Sequence, residues 1–287
     1  MGMPKSAAAI ALALMLAGCG AVPGGQGNLP PPSPPTAALA KWTDFPVNAN
    51  PRPIIWFGGI AEKIGEGQFN SNDAKVAWLC HKFVLASGVQ LTSTGSSPAS
   101  VRWTSGVGAA YPRTIGSKDA FAQVMARPGG DSTMCGSSRP FTITTASLGT
   151  GDFSTDRGEA AMTAWVFDIP EINSSIAYPA LDPSVYWGGK ATTSDGQGIG
   201  ARVSADGKTL TIALTGGPER GACGIDYTAA AAESSTAVAV AIKAYPHDTT
   251  AVCDLVGYAR TVTVVLNAPL GARVLLDEHG NVGSASP

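Results

Sequence analysis

Apolar residues along this 287-residue chain recur with two different periods, and the change from one to the other organises the sequence. Ser71-Asn72-Asp73 offers helix-capping side chains, after which Ala74, Ala77 and Trp78 share a helical face. Ser117 is placed to cap a second short helix whose apolar face is Phe121, Val124 and Met125, stopped by Pro128-Gly129. After Arg139 the period becomes two. Phe141, Ile143 and Thr145 alternate, as do Met162, Ala164 and Val166, with Asp156-Arg157-Gly158 as the hairpin turn between the two runs. Earlier, Pro53-Ile54-Ile55-Trp56-Phe57 reads as a buried strand ended by Gly58-Gly59. Further on, Asp206-Gly207 is a two-residue hairpin signal flanked by Val203 and by Leu210, Ile212 and Leu214. Val238, Val240 and Ile242, then Val262, Val264 and Leu266, then Val274 to Leu276, continue the alternation. The pattern predicts a mainly β, α+β fold of antiparallel sheets, sandwich-like in its C-terminal half, with two or three short helices in the N-terminal half. Residues 42–190 and 191–287 are the expected domains, and the glycine-rich stretch Gly188–Gly200 is either a linker between them or a long loop.

The first forty residues follow neither period. Lys5 precedes an uninterrupted apolar run from Ala7 to Ala17, which has the length of a signal-peptide core and is too short for a stable membrane span. The run ends Leu16-Ala17-Gly18-Cys19, which resembles the lipobox of bacterial prolipoproteins. Residues 1–18 are therefore expected to be removed. Cys19 then carries a diacylglyceryl group and, with a further palmitate-type acyl chain on its amine, anchors firmly where a single chain would be marginal. Residues 19–41 contain Leu29-Pro30-Pro31-Pro32-Ser33-Pro34-Pro35 and read as an extended polyproline tether. The expected location is the outer face of the cytoplasmic membrane.

Charged residues make up only 14% of the chain and the net charge is −2, so there is no basic stripe for nucleic acid and no polybasic segment for anionic lipid. With Cys19 assigned to lipid, Cys80, Cys135, Cys223 and Cys253 remain, an even number in an oxidising compartment. Four cysteines allow three pairings. The sequential one, Cys80–Cys135 and Cys223–Cys253, is preferred because each bond then closes within one half of the chain. No metal site is expected, because there is no C-x-x-C pair and His81, His247 and His279 are scattered. No cofactor is expected either: in Tyr186-Trp187-Gly188-Gly189-Lys190-Ala191, Ser184 stands where a phosphate loop has its first glycine.

Catalytic constellations are equally sparse. Gly95-Ser96-Ser97-Pro98-Ala99 and Gly136-Ser137-Ser138-Arg139-Pro140 lack the closing glycine of a nucleophile elbow. Asp152, Asp156 and Glu159 cluster in one hairpin, where a solvated turn is the ordinary explanation and a glycosidase-like pair the sharper one. Asp195-Gly196 and Asp277-Glu278-His279-Gly280-Asn281 lack the periodicity of a calcium loop. Trp56, Trp78 and Trp165 sit in periodic apolar segments and are assigned to the core. Tyr186 and Trp187 differ, because they follow Pro183 in an irregular glycine-rich stretch and are the aromatic candidates for a ligand-binding surface.

Four segments carry a family likeness: Phe45-Pro46-Val47 with Pro51-Arg52-Pro53, Arg157-Gly158-Glu159 through Phe167, Cys223-Gly224-Ile225-Asp226-Tyr227-Thr228, and Gly257-Tyr258-Ala259-Arg260 with Pro269-Leu270-Gly271-Ala272-Arg273. They resemble a group of uncharacterised actinobacterial cell-surface lipoproteins, a likeness that implies an envelope location and brings no catalytic residue with it. The expected role is binding or scaffolding at the cell envelope, with an envelope protein or cell-wall glycan as partner; the alternative is a cell-wall-directed hydrolase. One consequence is directly measurable. Cys19→Ser leaves an uncleaved precursor that takes up no label in a radioactive palmitate pulse, and incorporation of label into that variant would overturn the anchor assignment.

Overall fold

The computed structural model describes residues 29–63, 69, 71–95, 98–127, 135–136, 138–189 and 198–287. The expected leader, Cys19, most of the expected tether and Asp195-Gly196 lie outside these residues. Fifteen strands and two α-helices are described. In the N-terminal half these are β1 (Ala61–Lys63), α1 (Asn72–Leu79), β2 (Phe83–Leu85), β3 (Ala99–Trp103), β4 (Gly108–Tyr111), α2 (Ser117–Met125), β5 (Phe141–Ile143), β6 (Thr145–Thr155), β7 (Gly158–Ile169) and β8 (Ser174–Pro179). The C-terminal half adds β9 (Gly200–Val203), β10 (Thr209–Gly216), β11 (Ile225–Glu233), β12 (Ala237–Pro246), β13 (Tyr258–Val265), β14 (Val274–Asp277) and β15 (Ser284–Ser286). The fold is mainly β with both α-helices in the N-terminal half, as the two periods predict.

The long hairpin β6–β7 is the spine of the first half. Residues 155 and 158 close its turn, and Gly158 takes a left-handed φ of +87° there, a conformation open to glycine at no steric cost. One edge of β7 pairs along its length with β6; the other is shared, first by β3 and then by β8, and β4 and β1 extend these two branches. Burial along β7 changes phase. Ala160, Met162 and Ala164 enter one core with Trp56, Trp103 and Phe153, whereas Phe167 and Ile169 enter another with Trp78, Phe83, Phe141 and the helical residues Ala120 and Val124. Successive strand residues face opposite sides, so the two cores lie on opposite faces of one sheet.

Both helices form where expected, with two differences in α2: its cap, and Met125, which is exposed while Ala120 and Val124 form the buried face. Ser71 accepts the Ala74 amide at the start of α1. At α2 the cap is Gly116, and Ser117 is the first helical residue; its buried hydroxyl accepts the Thr92 amide at 2.8 Å. A Cβ at position 116 would come within 2.4 Å of the Thr92 carbonyl, so the close approach of that loop requires glycine. A further difference concerns Pro53–Phe57. Ile54, Ile55 and Trp56 are buried as predicted, but they form isolated bridges, Ile54 with Tyr186 and Trp56 with Thr155, because Pro51 and Pro53 supply no amide hydrogens for a ladder.

The C-terminal half is a sandwich of two sheets, β13-β10-β9-β15 and β11-β12-β14. Leu210, Ile212, Val262 and Val264 from the first sheet meet Val238, Val240 and Leu275 from the second. In β12 the expected alternation gives way to a buried run from Ala237 to Ala241, because the outer face of its sheet is covered as well. Residues 36–41, expected within the tether, provide the cover. Thr36–Trp42 is a 3₁₀ helix whose Ala38 and Trp42 pack with Phe45 and Ile55 onto Ala237, Ala239, Val274 and Leu276. The Trp42 indole points its N–H at the Gly280 carbonyl.

The boundary expected at 190/191 falls among residues 190–197, outside those described, and residues 31–287 form one compact unit. The C-terminal sandwich is not closed on itself, since one of its faces is buried by residues 38–55. Residues 198–287 made alone in an oxidising compartment will therefore bind a hydrophobic dye and unfold without cooperativity. Sharp two-state denaturation of that fragment would show that the outer face of β12 and β14 tolerates water.

Candidate functional site

Arg52 and Asp156 meet at the junction of the two halves. Both are buried, and the guanidinium Nη2 lies 2.6 Å from Asp156 Oδ2. Arg52 also donates through Nε to the Ala272 carbonyl at 2.9 Å and through Nη1 to the Pro53 carbonyl at 3.2 Å, and its plane lies over the Phe45 ring. The Asp156 amide donates to the Ile55 carbonyl, the Asp156 carbonyl accepts the Ala285 amide, and the neighbouring Thr155 carbonyl accepts the Ser284 hydroxyl. The ion pair joins the segment at 52–55, the β6–β7 turn and the turn before β14, and backbone carbonyls of the same turn hold the final strand β15.

A wall of aromatic side chains stands beside it. Trp56 packs edge-on against Phe153 and Tyr178 and lies tilted over Tyr186, with ring centroids 5.3 Å apart in the last pair. The Trp103 indole donates to the Thr155 hydroxyl at 3.1 Å, and the Arg157 guanidinium stacks 3.7 Å above the Trp103 ring. This region holds several buried polar atoms with no hydrogen-bond partner among the described residues: Trp56 Nε1, the Tyr111 and Tyr186 hydroxyls, and Arg157 Nε and Nη2. Burial raises the Tyr111 hydroxyl pKa, opposed by the charges of Arg157 and Arg52. Burial also raises Tyr186 well above the usual phenol value, reinforced by Tyr178 and Tyr111. The Arg157 guanidinium is pushed down by burial, with Asp156 opposing. The arrangement is rich in donors, aromatic in lining, and short of acceptors.

A second feature stands at the far end of β11 and β12. The Cys223–Cys253 disulfide closes the loop that follows β12, and Cys80–Cys135 is the other bond, so both pairs are the sequential ones. Cys223-Gly224-Ile225-Asp226-Tyr227 has a separate structural task at nearly every position. Cys223 forms the staple, and Gly224 leaves space for the His247 ring, whose Nδ1 would lie 2.3 Å from a Cβ there. The Asp226 carboxylate meets His247 Nε2 at 3.0 Å, while His247 Nδ1 faces the Gly221 carbonyl at 3.1 Å. Tyr227 accepts the Gly217 amide, whose own carbonyl is held by Arg260 at 2.6 Å. Beyond this brace the loop carries Val252 and Leu255 at full exposure, 101% and 105%, with Val256 and Tyr258 also exposed. The recess beneath, lined by Pro218, Cys223, Ile225 and Val256, encloses about 130 Å³, well short of the several hundred that a drug-sized ligand needs.

The other sequence candidates are dispersed. Tyr186 is buried against Trp56, and Trp187 is partly buried against Trp42 and Phe45, 5.1 Å from the latter. In the hairpin, Asp156 turns inward to Arg52 while Asp152 and Glu159 stay exposed, and Glu159 accepts the Ser154 hydroxyl. Asp277 accepts the amides of His279 and Asn281 within its own turn. Among the described residues no cluster of three or more potential metal ligands occurs. Sequence reasoning missed Arg52, Tyr111 and Arg157. Pro51-Arg52-Pro53 looks like a solvated loop, although an arginine between two prolines in an apolar stretch is a signal of a fixed guanidinium.

Removing one member of a buried ion pair strands the other. Asp156→Ala is therefore expected to cost about 3–5 kcal/mol in urea denaturation, whereas Arg52→Met with Asp156→Leu recovers most of it. A single-variant cost below about 1 kcal/mol would show that the pair is not what holds the junction.

Compared with known protein families, curated proteins and solved structures, the chain matches none of them.

Proposed function

We propose that this chain is an extracytoplasmic lipoprotein, anchored through Cys19 on the outer face of the cytoplasmic membrane, that docks on an envelope protein through the stapled loop at residues 247–257. The carrying observation is the full exposure of Val252 and Leu255 on a loop braced by a disulfide and by the His247 contacts. Burying one such side chain in a partner is worth roughly 1.5–3 kcal/mol, and a loop already held in place loses less entropy on binding.

Placement and charge support a protein partner over a bilayer. Thr36–Trp42 packs against the start of β12 at Ala237 and Ala239, and the loop leaves β12 after Pro246, about 26 Å further along the strand. The 3₁₀ segment and the apolar tip thus lie at opposite ends of β12. Asp248 precedes the tip and Asp254 sits between its two apolar residues, and both disfavour anionic lipid, so the complementary surface is apolar with cations beside it. A glycan partner would call for an open aromatic platform, and Trp187 is committed to Phe45 and Trp42. The hydrolase reading needs two carboxyls flanking a cleft, and the hairpin directs Asp156 inward while Asp152 and Glu159 remain outside.

The test uses a photo-crosslinking residue at Leu255 in living cells, with a second at Val265, which is equally apolar and 73% exposed but lies at the opposite end of β13. The expected result is one envelope-protein adduct from position 255, none from 265, and loss of the adduct on Val252→Asp. Equal labelling from both positions, or an adduct indifferent to Val252→Asp, would overturn the docking role.

A further inference from the structure

The charges around the β6–β7 turn do not balance. Asp156 is ion-paired to Arg52 at 2.6 Å and only attracts Arg157 from beside it, so one carboxylate serves two guanidiniums and a positive excess remains in an aromatic setting. Arginine stays protonated in proteins, so burial does not relieve the imbalance by releasing the proton. A half-buried charge with no ion-pair partner of its own is costly, and stacking on Trp103 offsets only part of that cost.

The identity of the two unpartnered nitrogens is informative. Arg157 Nε and Nη2, each buried and unbonded among the described residues, form one side of the guanidinium fork. That side presents two parallel N–H groups at the spacing of the two oxygens of a carboxylate or phosphate. Tyr111 offers a third donor: its hydroxyl is buried, without a partner among the described residues, and its ring belongs to the same buried cluster as Trp103, the residue Arg157 covers. Topology explains why the groups share a face. Tyr111 is paired with Ala99 in β3, Ala99 and Trp103 lie on the same side of that strand, and Arg157 covers Trp103. Arg157 itself is half-buried at the turn, at the rim of the core rather than its centre.

We propose that Arg157 and Tyr111 form a binding site for a small oxyanion group, a carboxylate or phosphate held side-on by Arg157 Nε and Nη2 and capped by the Tyr111 hydroxyl, over the face of Trp103. The site is separate from the loop at residues 247–257, and neither depends on the other. Acceptor-bearing ligands fit it because the two Arg157 nitrogens can only donate and the Tyr111 hydroxyl can donate as well, and the charge excess selects anions among them. The alternative occupant is water, which could satisfy the same donors without supplying charge.

Sodium acetate and sodium phosphate are the probes, titrated at constant ionic strength against sodium chloride, with the ¹⁵N-labelled Arg157 Nε–H resonance and the melting temperature as readouts. The expected result is a saturable shift of that resonance and a saturable rise in melting temperature with acetate, phosphate or both, and with chloride neither. The two arms separate a carboxylate ligand from a phosphate one. Tyr111→Phe, which keeps the ring, weakens the response about tenfold, and Arg157→Gln abolishes it. A resonance that responds to none of the anions, or to all three equally without saturation, means that water or bulk screening satisfies Arg157 and overturns the site. Wild-type protein alone distinguishes these outcomes, so a variant that fails to fold does not obscure them.

Discussion

The buried contact between Arg52 and Asp156 sets the geometry on which the rest of the molecule depends. A guanidinium held in a non-aqueous setting must have its donors met, and here they are met by atoms from separate parts of the chain: Asp156 in the hairpin, Ala272 before β14, and the adjoining Pro53. The ion pair adds little net stability, because desolvating two charges offsets most of their attraction. Its consequence is positional. Displacing the β6–β7 turn relative to the C-terminal sandwich would break this pair together with the bonds that Ser284 and Ala285 make to the turn, so the two halves are held in one arrangement.

That arrangement accounts for burial on both faces of β12. The segment carrying Arg52 continues from Thr36–Trp42 through Phe45, and the same stretch that reaches the ion pair also covers Ala237 and Ala239. Small residues at those two positions let Trp42 and Phe45 approach the strand backbone closely. Larger side chains would lift the cover from the sheet and pull on Arg52 through its contact with the Phe45 ring. The beginning of the folded body and its final strand are therefore parts of one packing problem.

Much of this is legible in the sequence because it is local. The Ser71 cap, the turns at Asp156-Arg157-Gly158 and Asp206-Gly207, and the alternation in β5, β7, β10 and β13 depend on residues within a few positions of one another. The disulfide pairing follows from keeping each bond within one half. What cannot be read there depends on distant partners. Arg52 and Asp156 are 104 positions apart, and nothing near either residue announces the other. Residues 36–41 have the composition of a tether, and only the outer face of the sheet reveals that Ala38 and Trp42 are packed. Trp187 sits among glycines, which signal a loop but not that Trp42 and Phe45 will cover its ring. His247 likewise looks like a surface imidazole, and its two contacts come from residues 21 and 26 positions earlier.

Stability gives no reason for the apolar character of Val252 and Leu255. Both are as exposed in the folded protein as in an unfolded chain, so folding gains nothing from burying them, and polar residues there would fold equally well and dissolve better. The brace beneath them does have a physical cost: it holds His247 between two acceptors, needs glycine at position 224, and occupies two cysteines. A loop fixed at its base and apolar at its tip combines two properties that matter together only when something else covers the tip. Fixing the base lowers the entropy lost on contact, and the apolar tip supplies the area that contact would bury. Under a purely structural account the two properties would be unrelated; under the docking role each is the reason for the other.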